Sequence, residues 1–128
     1  MEFSLTTEQE MFRDTVRNWV ERECPKSKAL EYEGQEYEYP FELWDKMSDA
    51  GFHAIGLPEE LGGQGGDTVT QMILTREMAR SLAGLTWIYG INAFCAKSIN
   101  QFARDEVREK LIPDMAAGRT RVAISVTE

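Results

Sequence analysis

A chain of 128 residues with 42% hydrophobic side chains is long enough for one domain with a real core and too short for two. Its formal net charge of −8, from 22 acids and 14 bases, disfavours a phosphate backbone as partner. The densest basic group (Arg104, Arg108, Lys110, Arg119, Arg121) is interrupted by Asp105, Glu106, Glu109 and Asp114 and reads as a solvated helix face, so no nucleic-acid binding is expected.

Two distant cysteines, Cys24 and Cys95, lack the density of a disulfide scaffold, and Cys95 sits in an apolar run as a small hydrophobe would. The single histidine, His53, leaves no cluster with metal-ligand spacing, so no metal site is expected. The polar, acidic opening "MEFSLTTEQE" is neither a signal nor a transit peptide, and no uncharged run reaches the length of a membrane span. A soluble, cytoplasmic protein is the expectation.

In chain order, the first helix is predicted to start at Thr6 or Thr7, each with Gln or Glu three residues on, which is capping-box spacing. Phe12, Val16, Trp19 and Val20 then make one apolar stripe. Pro25 ends this helix or begins a short next one. "EYEGQEYEY", broken by Gly34, reads as a connection. Pro40 fits the first turn of another helix with Phe41, Leu43, Trp44 and Met47 inward and Gly51 as its C-terminal cap. "FHAIGLPEELGGQGGD", with five glycines and a proline, reads as loop.

Asp67 or Thr68 caps the next helix, predicted to run to about Leu82 with Met72, Ile73, Ala79 and Leu82 apolar. From Gly84 to Ala96 no residue is charged, and apolar side chains lie all round the predicted helix, so it is expected to be central and buried on most sides. Asp105 caps a last helix with Val107, Leu111, Ile112 and Met115 inward, ended by Gly118. The closing "TRVAISVTE" alternates like a strand whose backbone groups have no partner in the sequence. The fold class is therefore all-α: an orthogonal or up-down bundle of about five to six helices over residues 1–121, then an extended segment, 122–128, that expects a sheet elsewhere.

Few motifs carry chemistry. "GLPEELGGQGG" lacks the Lys-Ser/Thr of a phosphate loop and the strand–turn–helix setting of a dinucleotide fingerprint, and two acids precede its glycines, so it reads as a tight structural turn. Glu59 and Glu60 lack the buried or like-charged setting that tunes a catalytic carboxylate and read as solvated. The uncharged helix reads as ordinary core first, and second as the wall of a pocket for an apolar ligand, which uses the same residue types.

Three segments in order, "TTEQEMFRDTVRNWVERE", "GFHAIGLPEELGGQGGD" and the terminal "AISVTE" after "LIPDMAAGRTR", resemble the N-terminal region of the acyl-CoA dehydrogenase family across essentially the whole chain. The resemblance implies an N-terminal helical bundle (1–121) followed by a middle β-domain whose first strand is 122–128, then a C-terminal four-helix bundle. It implies FAD as cofactor, with Val126 and Thr127 contacting the pyrimidine edge of the flavin ring and Ile124 and Ser125 beside it. It implies α,β-dehydrogenation of an acyl-CoA thioester, with Thr86, Trp87, Gly90 and Phe94 facing the acyl chain. Trp87, bulky for such a position, is expected to shorten or reshape that pocket. The catalytic glutamate of the family lies outside these residues, so no catalytic residue is expected here. An electron-transfer flavoprotein and a homo-oligomer are the implied partners. Relatives of the same fold that use oxygen as oxidases or monooxygenases are the alternative, and a stand-alone helical interaction module is a second, against which the unpartnered strand argues.

Overall fold

The computed structural model describes residues 4–36 and 39–125. Six α-helices make up the body: α1 (Thr7–Glu23), α2 (Lys26–Gly34), α3 (Phe41–Asp49), α4 (Thr68–Ala79), α5 (Ala83–Phe102) and α6 (Asp105–Ala116). Single 3₁₀ turns at Phe52–Ala54 and Glu59–Leu61 lie between α3 and α4. No strand occurs among the described residues.

The start of α1 follows from its sequence. Thr6 Oγ1 accepts from the Gln9 N–H at 3.2 Å, and Gln9 Oε1 accepts from the Thr6 N–H at 3.1 Å, closing the capping box. Thr6→Ala removes one half of it and is expected to cost about 1 kcal/mol, read as a lower urea midpoint at unchanged slope.

Helix α2 corrects the reading of residues 31–39 as a connection. Residues 31–34 are helical, with Pro25 at the N-cap, and Gly34 is the last helical residue rather than a break. Helix α4 stops three residues short of Leu82, because Arg80 and Ser81 turn the chain and Leu82 becomes the N-cap of α5. At α6 the N-cap is Arg104, and Asp105 is the first helical residue, where its charge still suits the helix N-terminus.

Helices α1 and α4 pack together, then α4 on α5 and α5 on α6. Val16, Trp19 and Val20 of α1 meet Leu43 and Met47 of α3, Leu74 and Met78 of α4, and Leu85 and Tyr89 of α5 in one core cluster. A second joins Ala54 and Leu57 to Ala96 of α5 and to Ile112, Met115 and Ala116 of α6, with Val122 against its edge. Cys24 is fully buried in the first cluster, Cys95 lies against the second, and both are free thiols. Within the α1–α4 interface Glu77 is 1% exposed and is held bidentately by Arg17 (3.0 and 3.1 Å), with Arg80 at 3.4 Å. Burying a carboxylate is costly unless partners of this kind hydrogen-bond it.

The glycine-rich loop folds back on itself. Gly65 donates to the Leu57 carbonyl, Gly63 to that of Pro58 and Gln64 to that of Ala54, each at 2.9 Å. Gly56 has φ +82 and the Gln71 side chain crosses its face, so a Cβ there would coincide with the Gln71 amide. The loop satisfies its own backbone, as the structural reading requires.

Candidate acyl-binding groove and terminal segment

Helix α5 is not enclosed as expected. Its buried positions, Leu85, Tyr89, Asn92 and Ala96, recur at helical spacing on one face. The opposite side is bare: Trp87 is 70% exposed, Phe94 56% and Phe102 78%. An apolar run with no charge therefore serves here both as core and as an uncovered surface.

Between α4 and α5 runs an apolar groove of about 290 Å³. From α5, Tyr89, Gly90, Ala93, Phe94 and Lys97 line it, at the i, i+3/i+4, i+7 spacing of one helical face. From α4, Thr68, Gln71, Met72 and Thr75 face them. Gly90 opens the floor: a Cβ built there meets nothing within 4 Å. One end is tied by Lys97, whose Nζ donates to Gln71 Oε1 at 2.5 Å, while Gln71 Nε2 donates to the Ile55 carbonyl at 3.4 Å. Burial pushes the Tyr89 phenol up to about 12, so it stays neutral, and its hydroxyl has no partner among the described residues. Among the described residues no carboxylate lines the groove, which can hold an apolar chain.

Of the four residues expected against an acyl chain, Gly90 and Phe94 line this groove together. Thr86 lies one turn before Gly90 and its hydroxyl donates to the Ala83 carbonyl at 2.7 Å. Trp87 projects from the exposed face that it shares with Phe94, seven residues on. The α4 wall was absent from the sequence reading, although Met72 and Thr75 are one turn apart and facing residues at that spacing are the available signal.

A larger pocket, about 360 Å³, lies beside α1, the start of α2 and the end of α4. Arg17, Arg80 and Glu77 in its wall are engaged with one another, a poor lining for an apolar chain.

The segment after α6 carries the other expected site. Ile124 is 47% exposed and Ser125 is exposed. Val126 and Thr127 lie outside the described residues. The backbone groups of Val122, Ala123 and Ile124 make no hydrogen bond among the described residues, so they are available to a strand or to the polar edge of a flavin ring. On that observation the residues present fit an FAD edge. No group of three or more His, Cys, Asp or Glu side chains could hold a metal among the described residues, and no helix there is long and apolar enough to cross a membrane.

The helical body thus carries an apolar groove between α4 and α5 and a terminal segment in which residues 122–124 make no backbone hydrogen bond among the described residues. Residues 6–119 match the family described as acyl-CoA dehydrogenase, N-terminal domain, and the chain belongs to that family. It is 33% identical over 130 residues to the short-chain-specific acyl-CoA dehydrogenase of Clostridium acetobutylicum, covering 100% of this chain and 34% of that protein. It is 31% identical over 129 residues to the acryloyl-CoA reductase (NADH) of Anaerotignum propionicum, covering 100% and 32%. The structure of butyryl-CoA dehydrogenase from Megasphaera elsdenii superposes with a TM-score of 0.82 at 25% identity, over 94% of this chain and 32% of that one. The chain spans about a third of the length of the relatives it matches.

Proposed function

We propose that this chain forms the helical front of an FAD-dependent acyl-CoA dehydrogenase, residues 1–121 as the N-terminal domain and 122–128 as the start of a middle β-domain. FAD, when bound, supplies the two-electron acceptor for α,β-dehydrogenation of an acyl thioester. The groove between α4 and α5 takes part of the acyl chain. Gly90 leaves room for it, Phe94 and Met72 border it, and Tyr89 closes its buried side as a neutral phenol. Thr86 and Trp87 stand at the α5 end of the same wall. Ile124, Ser125, Val126 and Thr127 edge the flavin, the backbone of this segment supplying hydrogen-bond partners for the ring. The base that removes the α-proton comes from residues beyond these. The bare face of α5 is covered by the remainder of the polypeptide. An electron-transfer flavoprotein takes the electrons, the full-length protein is a homo-oligomer, and the compartment is the cytoplasm.

The family match over residues 6–119 carries this reading, and the apolar groove with open space at Gly90 is its structural support. The test is anaerobic titration of the yellow full-length gene product with a panel of acyl-CoA thioesters. Bleaching of the flavin by some members is expected. Gly90→Leu is expected to shift the bleaching preference towards shorter chains. A flavin-loaded protein bleached by none of the panel overturns the proposal. Rapid reoxidation by dioxygen would instead place it with the oxygen-using relatives.

A further inference from the structure

The connection from α6 to the terminal segment is fastened at every residue from 118 to 122. Gly118 ends α6 with φ +70, and any Cβ there would clash with Ser48 Oγ and lie 3.0 Å from His53 Cδ2. The turn therefore rests directly on α3 and on the first 3₁₀ turn. The Gly118 carbonyl accepts the Trp44 indole N–H at 2.7 Å. The N–H groups of Arg119 and Thr120 both donate to the Asp114 carbonyl, and the Arg119 guanidinium donates to the Asp114 carboxylate at 2.9 and 2.6 Å.

Arg121 follows. Its guanidinium carbon lies 4.7 Å from the Phe41 ring centroid, 5.5 Å from Tyr39 and 5.8 Å from Trp44. The three rings come from one short stretch around the start of α3, with Tyr39 and Phe41 in contact at 4.9 Å. Phe41 was expected inward and is 55% exposed. It serves this cup rather than the core. A planar guanidinium suits such a seat, because it stacks on ring faces while its edges keep their hydration. Val122 then lies on the second core cluster, and Ala123 and Ile124 beyond it are exposed and make no backbone hydrogen bond among the described residues.

We propose that Arg121 is a positioning residue whose seat on Tyr39, Phe41 and Trp44 sets the direction in which residues 122–125 leave the helical body, and so the placement of the backbone that edges the flavin. The inference rests on the flavoenzyme reading above. Its physical basis is leverage. The residues beyond Val122, 123–125, reach at most about 11 Å when extended, so a swing of about 10° at the Arg121–Val122 pivot displaces the far end by about 2 Å. Hydrogen bonds do not survive a shift of that size. A contact that adds little to the stability of the helices can therefore govern the cofactor.

The test uses the full-length gene product as wild type, Arg121→Ala, Arg121→Lys and Phe41→Leu, measuring FAD dissociation, the fine structure of the bound-flavin absorption band and the melting of the apoprotein. Arg121→Ala is expected to weaken FAD binding about tenfold and to blur the absorption band, while apoprotein melting stays near wild type. Arg121→Lys, which keeps a cation over the rings, recovers most of the affinity. Phe41→Leu reproduces part of the loss, and combining it with Arg121→Ala adds little, since both break one contact. If Arg121→Ala also lowers apoprotein melting, Phe41→Leu decides. FAD affinity within twofold of wild type in both Arg121→Ala and Phe41→Leu, or fully additive losses, overturns the positioning role. A wild-type protein that binds no FAD sinks the flavoenzyme reading itself, which separates the two failures.

Discussion

Gly118→Val is expected to lower the unfolding free energy by about 3 kcal/mol or more, from two separable causes. The first is conformational. At φ +70 the backbone is in the left-handed region, which costs an L-residue about 1–2 kcal/mol and a β-branched one more. The second is steric. A Cβ would clash with Ser48 Oγ and approach Ser48 Cβ to 2.8 Å and His53 Cδ2 to 3.0 Å. Forcing atoms into a filled site adds about 1–3 kcal/mol. Ser48 has little freedom to withdraw, because its hydroxyl donates to the Trp44 carbonyl at 2.9 Å. Urea titrations of Gly118→Ala, Ser48→Gly and the double variant separate the contributions. Ser48→Gly should relieve the steric share in the double variant and leave the conformational share. Equal losses in Gly118→Ala with and without Ser48 would show that the close approach is harmless.

Acidification from pH 7 to 4 is expected to remove about 3 kcal/mol of stability through His53 alone. The ring is 3% exposed and lies against Trp44, with centroids 3.9 Å apart and the planes tilted by 32°. Its Nε2 lies 3.4 Å from the Trp44 carbonyl, which fixes Nε2 as the protonated nitrogen of the neutral ring, since a carbonyl only accepts. Nδ1 has no partner among the described residues. Burial pushes the histidine down to about 4 from its ordinary 6.5, against the smaller opposing effect of the Trp44 carbonyl. Above pH 6.5 both folded and unfolded chains carry a neutral ring and His53 contributes no pH dependence. Between 6.5 and 4 the unfolded chain takes up a proton that the folded chain refuses, so stability falls as pH falls. The gap of about 2.5 pH units corresponds to about 3 kcal/mol.

The window is diagnostic because the chain has one histidine. The carboxylates held low by their partners lose their contribution at more acid pH. Glu42, bound by Lys46 and Lys28, is lowered to about 2, and Glu23 and Asp67 are also held below their usual range. Urea midpoints in the wild type should fall through this window, whereas His53→Phe should be nearly flat from pH 6.5 to 4.5. A wild-type profile as flat as that of His53→Phe would mean that the buried ring is protonated in place.

The contrast between α1 and α5 shows how much of this could be read from residues alone. The stripe of α1 and its cap are local: Thr6 and Gln9 are three residues apart, and Val16, Trp19 and Val20 share a face whatever lies opposite. In α5 the apolar composition was plain, yet whether an apolar side chain is covered depends on neighbours that periodicity does not name. Trp87 and Phe102 proved exposed for that reason. Gly34 misled in another way, since a glycine inside a connection and a glycine closing a helix look alike without the chain geometry. In the candidate site, Gly90 and Phe94 came from the family resemblance, whereas Gln71, Met72 and Thr75 required the facing of α4 and α5. The aromatic cup for Arg121 joins residues about 80 positions apart and left no local signal.

Gln71 carries a consequence for any attempt to reshape the groove. Its amide joins Lys97 at the rim to the Ile55 carbonyl, and its side chain lies across Gly56. A single glutamine side chain thus links the start of the glycine loop to the mouth of the cleft. Engineering one will retune the other, and sequence drift in the loop can alter the shape of the cleft.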